Sequence, residues 1–202
     1  MNRIIIASKN KGKIEEFQKL FHPFGLTIQS LLDFPDAIDV EETGTTFYEN
    51  AQLKSEAIAK IYNTVAIADD SGLEIDALDG RPGVYSARYA GEDKADEANI
   101  AKVLEELKEI PFEQRTAHFT CVLSISAPNI PTRFVKGECH GLIAQQPTGT
   151  LGFGYDPIFY IPEFKKTFAE LESEQKNKLS HRAMAMKELQ VIWPTIKEEF
   201  LK

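Results

Sequence analysis

The sequence predicts a mixed α/β protein, and three observations carry that prediction. The first is a short β-branched run, Arg3-Ile4-Ile5-Ile6-Ala7, which leads through a polar loop into a helical pattern. The second is another apolar run, Thr64-Val65-Ala66-Ile67-Ala68, which ends in Asp69-Asp70-Ser71-Gly72. The third is a pair of long strand-like stretches, 115–127 and 132–144, joined by a Pro-Asn-Ile-Pro turn. The order β-α, α-β-β, α, β-β, α gives a parallel start followed by an antiparallel hairpin. With 202 residues, 43% of them hydrophobic, the chain has enough apolar side chains for a substantial core. No Pro/Ser/Gly-rich linker or internal repeat interrupts it, so a single domain over residues 1–202, or two lobes sharing one sheet, is expected.

Each element has its own signal. After the first strand, Ile14, Phe17, Leu20 and Phe21 recur at helical spacing, so the loop Ser8-Lys9-Asn10-Lys11-Gly12-Lys13 opens a helix. A polar loop, Glu41-Glu42-Thr43-Gly44-Thr45-Thr46, precedes a second amphipathic helix carrying Phe47, Ala51, Lys54, Ile58 and Ile61. Residues 73–78 alternate in polarity, and Asp79-Gly80-Arg81-Pro82-Gly83 is a strong turn signal. Ile100, Val103, Leu104 and Leu107 mark a third helix over 96–110. A loop rich in Gly and aromatics covers 149–160. The last forty residues read as helix, with Leu179, Ala183, Met186, Leu189, Ile192 and Trp193 on the apolar side.

Composition excludes several function classes. The net charge of −8 argues against a broad nucleic-acid-binding surface, although lysines gathered at one place can still hold a small phosphorylated ligand. No apolar run approaches the roughly 20 residues a membrane span needs. The start shows no signal-type apolar region, and Cys121 and Cys139 lie apart on strand-like segments as reduced core residues. A cytoplasmic location is therefore expected.

The chemistry-bearing residues fall into a few segments. The Asp69-Asp70 doublet stands where a buried strand reaches its open end, which is where α/β sheets expose their chemistry. Two adjacent carboxylates repel, and a divalent cation would keep both ionised; an Asx-type turn satisfying local N–H groups accounts for them as well. The lysine loop 8–13 joins a strand to a helix, where free N–H groups and the helix dipole attract anions, but a solvated basic turn has the same composition. It is not a Walker A motif, because the first glycine is missing and Ile14 stands in place of Ser/Thr. Lys54, projecting from the helix after the Glu-Glu-Thr-Gly loop, reads by itself as a surface lysine. Glu41 and Glu42 form either an acidic patch before a helix or a carboxylate source for a metal shared with the Asp doublet. In Gly152-Phe153-Gly154-Tyr155-Asp156-Pro157, two glycines admit close backbone approach, Phe153 offers a stacking face and Asp156 an acceptor. His181-Arg182 near the start of the last helix is a surface pair or a binding pair. There is no Gly-x-Ser-x-Gly elbow, and the four histidines, at 22, 118, 140 and 181, lack metal-ligand spacing.

Taken together, these segments resemble the noncanonical purine nucleoside triphosphate pyrophosphatase family, the inosine/xanthosine triphosphate pyrophosphatases. The resemblance rests on Ile6-Ala7-Ser8-Lys9-Asn10-Lys11-Gly12-Lys13, Glu41-Glu42-Thr43-Gly44-Thr45-Thr46-Phe47-Tyr48-Glu49-Asn50-Ala51, and Ala68-Asp69-Asp70-Ser71-Gly72-Leu73. It continues through Pro82-Gly83-Val84-Tyr85-Ser86-Ala87-Arg88-Tyr89, Gly152-Phe153-Gly154-Tyr155-Asp156-Pro157 and Ser180-His181-Arg182, in family order across nearly the whole chain. Lys9 is a mild departure, standing where many relatives have a small residue. The resemblance implies an elongated mixed β-sheet flanked by helices, two lobes with a nucleotide cleft between them, and a homodimer. It further implies that Ser8, Lys9, Asn10, Lys11, Gly12 and Lys13 line the nucleotide site and that Lys54 meets the triphosphate. Glu41 and Asp70 would hold Mg²⁺, with Asp70 also accepting the proton of the attacking water. Ser71, Phe153, Gly154, Tyr155, Asp156, Lys176, His181 and Arg182 would bind substrate.

The residue types suit that reaction. Cleavage between the α- and β-phosphates needs an oriented water, a base, and positive charge against the leaving pyrophosphate. Pyrophosphate leaves readily, so no general-acid histidine is demanded. Two other readings use the same segments: a pyrophosphatase preferring modified pyrimidine triphosphates, and a non-catalytic nucleotide sensor. Asp70 and Glu41 together weigh against the sensor, since binding alone needs no positioned base.

Overall fold

In the computed structural model the described residues are 3–93 and 95–201, apart from the side chains of Glu16, Leu20 and Pro23. The Leu20 side chain expected on the first helix face, and Met1 ahead of the first strand, lie outside the described residues. The strands β1 (Arg3–Ile6), β2 (Thr27–Ser30), β3 (Val65–Ile75), β4 (Thr116–Ala127), β5 (Ile130–Ile143), β6 (Phe159–Ile161) and β7 (Lys166–Thr167) form a seven-stranded sheet in the order β2-β1-β3-β4-β5-β6-β7. Pairing is parallel between β1 and both β2 and β3, and antiparallel between β5 and β6 and between β6 and β7. The helices are α1 (Lys11–Phe21), α2 (Phe47–Tyr62), α3 (Asp96–Glu106), α4 (Ser173–Leu179) and α5 (His181–Phe200). The mixed α/β architecture is the one the sequence predicts.

Three local features depart from the expectation. First, β3 does not end at the Asp doublet. It runs on through Asp69, Asp70, Ser71 and Gly72 to Ile75, because Leu73 and Ile75 are as deeply buried as Ile67 and hold the chain extended. The doublet is therefore mid-strand, not a strand end or an Asx turn. Second, β2, β6 and β7 are additional strands, each too short for a periodic signal. Third, the final helical stretch breaks at Ser180, whose extended backbone (φ −61°, ψ 150°) ends α4. Its Oγ then accepts the Ala183 N–H at 3.2 Å, so Ser180 caps α5.

The chain divides into two compact units. One comprises residues up to Asp70, Cys121–Lys136 and the segment from Ala185 onward. Its strands alternate with period two, which assigns each face a different core. Ile4, Ile6, Val65 and Ile67 pack with Phe17 and Phe21 of α1 and Leu189 and Trp193 of α5. Ile5, Ala66 and Ala68 pack with Ile58 and Ala59 of α2. Phe21 meets Trp193 edge-on, with ring centroids 4.6 Å apart. A Thr46–Glu49 capping box starts α2. Buried hydroxyls then seat this helix, with Ser124 Oγ 2.7 Å from the Ala51 carbonyl and 2.8 Å from Ser55 Oγ. That seating fixes where Lys54 emerges.

The other unit comprises Ser71–Thr120 and Gly137–Met184. Its core gathers Leu73, Ile75, Phe119, Phe159 and Phe168 with Val103 and Leu107 at α3 and its C-terminal end. Phe119 touches both Phe159 and the His181 ring, at 4.6 and 4.9 Å.

Replacing Phe21 with Ala removes the ring that joins α1 to Trp193. Urea unfolding should lose about 3–5 kcal/mol of stability, the usual result for a fully buried aromatic. A loss under about 1 kcal/mol would mean that this contact does not hold the core.

Candidate active site

In the first unit the chemistry begins where β1 gives way to α1. Ser8 Oγ accepts the Asn10 N–H at 3.1 Å, and Asn10 Oδ1 accepts the Lys13 N–H at 3.1 Å, making Asn10 the N-cap. Lys11, Gly12 and Lys13 are thus the first helical turn, not a loop ahead of it. No acidic side chain occupies that turn, so its N–H groups and dipole favour an anion.

Two of the lysines bind the mid-strand acids. Lys13 Nζ lies 2.7 Å from Asp69 Oδ2, a carboxylate almost wholly buried. Lys54 Nζ donates to Glu42 Oε1 at 2.5 Å and to the Asp69 carbonyl at 2.6 Å, and stands 3.8 Å from Asp70 Oδ1. Burial alone would lower the Lys54 pKa, but Asp69, Asp70 and Glu42 outweigh it and leave the ammonium held above its ordinary value. Asp70 goes the other way for an acid. Burial lifts its carboxyl to about 6; Lys54 opposes this, while Glu42 and Asp69 add to it.

Beside this cluster is a cavity of about 250 Å³ lined by Ser8, Lys9, Lys13, Glu42, Lys54 and Asp69, among others. A larger hollow of about 450 Å³ elsewhere on the same unit, beside Glu56, Lys60 and Asn129, gathers no such convergence of charge. The smaller cavity is therefore the candidate site.

The second unit presents a different surface. Gly152 and Gly154 have φ of +82° and +60°, and a Cβ at Gly152 would fall 2.0 Å from Asp156 Oδ2. The tight turn lets Asp156 accept the Phe153 N–H at 2.9 Å while also pairing with Lys176. Lys176 Nζ stands 5.0 Å over the Phe153 ring, which is 67% exposed. Asp96, at the start of α3, accepts the Gly154 N–H at 2.7 Å, and the buried Tyr155 hydroxyl donates to the Ser86 carbonyl at 2.8 Å. At the start of α5, Arg182 is buried with Nη2 3.5 Å from Ser71 Oγ, and His181 stacks on Phe119.

The Ham1 family model matches residues 4–192. The chain belongs to the Ham1 family. It is similar to a dITP/XTP pyrophosphatase of Geobacillus kaustophilus, with 57% identity over 97% of this chain and 96% of that one. A dITP/XTP pyrophosphatase of Bacillus subtilis is 56% identical over 94% and 96% of the two chains. Among solved structures, the Staphylococcus aureus Ham1 protein superposes with a TM-score of 0.90 at 50% identity, covering 96% of this chain and 98% of that one.

Within this Ham1 chain many of the sequence-selected residues fall into three groups. Ser8, Lys13 and Lys54 stand with Asp69 and Asp70; Phe153, Asp156 and Lys176 stand together, as do Ser71 and Arg182. Lys9 turns to Asp39 at 2.7 Å, and Asn10, Lys11 and Gly12 are exposed. Of the paired glutamates, Glu42 meets Lys54, while Glu41 is exposed. Sequence reasoning missed Asp69 as the anchor of Lys13, Asn50 as the acceptor for the Gly44 N–H, and Asp96 as the acceptor for Gly154. Asp96 sits in an ordinary acidic first turn, so nothing local marks it.

The raised Asp70 pKa has a signed consequence in chelator. The native carboxyl holds its proton more tightly than the unfolded one. Its contribution to stability is therefore complete below the ordinary carboxyl value of 3.8 and is lost as pH rises through about 6. Asp70→Asn should therefore gain stability over wild type between pH 4 and 7, by up to about 3 kcal/mol. Urea unfolding of both proteins across that range checks this; a pH-independent difference would contradict it.

Proposed function

We propose that this chain hydrolyses ITP, dITP and XTP between the α- and β-phosphates, giving the nucleoside monophosphate and pyrophosphate. One observation carries the reading: a buried pair of strand carboxylates is matched by two lysines around a cavity at a helix N-terminus. That arrangement suits a polyanion and a base in one place. Family membership and the names of the similar enzymes supply the substrate class.

Lys13 and Lys54 meet the triphosphate with help from the first-turn N–H groups of α1, after exchanging carboxylate partners for phosphate oxygens. Asp70, already close to neutral pH in its proton affinity, takes the proton of the attacking water. Phe153 stacks on the purine. Arg182 and His181 offer donors to the C6 oxygen of hypoxanthine or xanthine, and adenine's amino group would face those donors unpaired.

The proposed cofactor is Mg²⁺, an ion that usually takes one or two protein carboxylates and completes its shell with substrate phosphates and water. Asp70 and Glu41 would hold it, Glu42 being engaged by Lys54. Bound there, it would supply positive charge to the phosphate oxygens and acidify a water. The same reading makes the protein a cytoplasmic homodimer. No helix among the described residues is long and apolar enough to cross a membrane.

Pyrophosphate release should be fast from XTP, ITP and dITP and slower from ATP and GTP, with discrimination in kcat/KM reaching about 10⁴ against ATP. Chelator should abolish it. Arg182→Ala should narrow the preference mainly by slowing the good substrates; a mutant keeping the full preference would remove Arg182 from base recognition. Equal turnover of all four ribonucleotides by wild type would end the reading.

The lysines have a separate test. Lys13→Met and Lys54→Met should each weaken triphosphate binding by about 1.5–3 kcal/mol, and monophosphate binding much less. Calorimetric titration with both ligands decides it, equal losses placing these lysines elsewhere.

A further inference from the structure

We propose that Asp96 is a positioning residue for base recognition: from the first turn of α3 its side chain takes the Gly154 N–H and holds the turn that presents the Phe153 ring. The proposal rests on the reading of Phe153 as the face on which the purine stacks.

This turn needs holding. Gly152 and Gly154 both have positive φ, +82° and +60°, and glycine gives up more conformational freedom than any other residue when it is fixed. Phe153 between them gains little restraint from packing, since it is 67% exposed. Two carboxylates restrain consecutive amides instead. Asp156 Oδ2 accepts the Phe153 N–H at 2.9 Å, and Asp96 Oδ2 accepts the Gly154 N–H at 2.7 Å. Asp156 belongs to the segment itself. Asp96 comes from 58 residues away and ties the segment to a separate element.

That element is a firm anchor. Ile100 and Val103 of α3 are buried in the core. Asn99, also buried, accepts the Ala90 N–H at 2.7 Å and donates to the Ala87 carbonyl at 3.2 Å. The start of α3 is thus fixed from its buried side, while Asp96 stands on the exposed side. An acid in a first turn commonly serves the helix dipole, and Glu97 stands there too. Asp96 differs in directing an oxygen at the backbone of another segment. A hydrogen bond from a backbone N–H to a carboxylate is charge-assisted. A ring held in place before the ligand arrives spares the complex the entropy of ordering it.

Two variants separate the acceptor from the charge. Asp96→Ala removes both; Asp96→Asn keeps an oxygen that can accept the Gly154 N–H and removes the charge. Inosine monophosphate and inorganic tripolyphosphate are titrated by calorimetry in chelator, with Phe153→Ala measured alongside. Asp96→Ala should weaken inosine monophosphate about tenfold, the scale of one hydrogen bond, and tripolyphosphate less than about threefold. Its KM for XTP should rise about tenfold with kcat within about threefold of wild type. Asp96→Asn should restore both KM and monophosphate binding to within about threefold of wild type. Thermal unfolding should stay cooperative in all three variants. If Phe153→Ala binds inosine monophosphate like wild type, the underlying reading of Phe153 fails. If Phe153→Ala binds it weakly while Asp96→Ala binds it like wild type, the Asp96 proposal alone fails. It also fails if Asp96→Asn is as weak as Asp96→Ala, if tripolyphosphate loses as much as the monophosphate, or if Asp96→Ala loses cooperative unfolding.

Discussion

The structure around the site depends on how β3 carries two adjacent carboxylates through the interior. An isolated buried carboxylate is strongly disfavoured, and two in succession repel. The fold answers with two ammonium groups from different helices, Lys13 at the start of α1 and Lys54 from the second turn of α2. Each lysine needs its helix placed within a fraction of an ångström. This connects the Asn10 cap, the Thr46–Glu49 capping box and the Ser55–Ser124 contact to one electrostatic problem. On the proposed function, a polyphosphate would offer the same lysines several oxygens at once and compete with the carboxylates for one set of cations.

The two units gather different chemistry. In the first, charge is concentrated and largely buried. In the second, an aromatic ring is displayed on a turn that Asp156, Asp96 and Tyr155 hold from three directions. Asp156 illustrates how a residue's role differs from the one its chemistry suggests. One of its oxygens is already engaged by the Phe153 amide and Lys176, so this carboxylate shapes the turn.

Local chemistry was legible in the sequence, and tertiary partnership was not. The lysine segment, the Gly-Phe-Gly turn and the helix periodicities are encoded in consecutive residues, and the α/β class follows from them. The choice between Glu41 and Glu42 at Lys54 depends on the path of a loop that only packing fixes. The contact of Asn50 with the Gly44 N–H likewise depends on how the loop before α2 folds back on the helix. The Asp doublet was readable as chemistry but misplaced as structure: a strand buried on both sides of two acids violates the usual pattern, and such violations gather at functional sites. The short strands β6 and β7 exist through their pairing alone.

Phe153 keeps most of its ring in water, yet its backbone is already locked by the Asp156 contact and by two glycines in left-handed geometry. The ordering entropy of that segment is spent during folding, not at the moment of encounter. A purine stacking there as proposed would only have to strip water from a rigid aromatic face. Association at this ring should therefore carry the calorimetric mark of apolar desolvation, a negative heat-capacity change, without the large unfavourable entropy of a loop that orders around its guest.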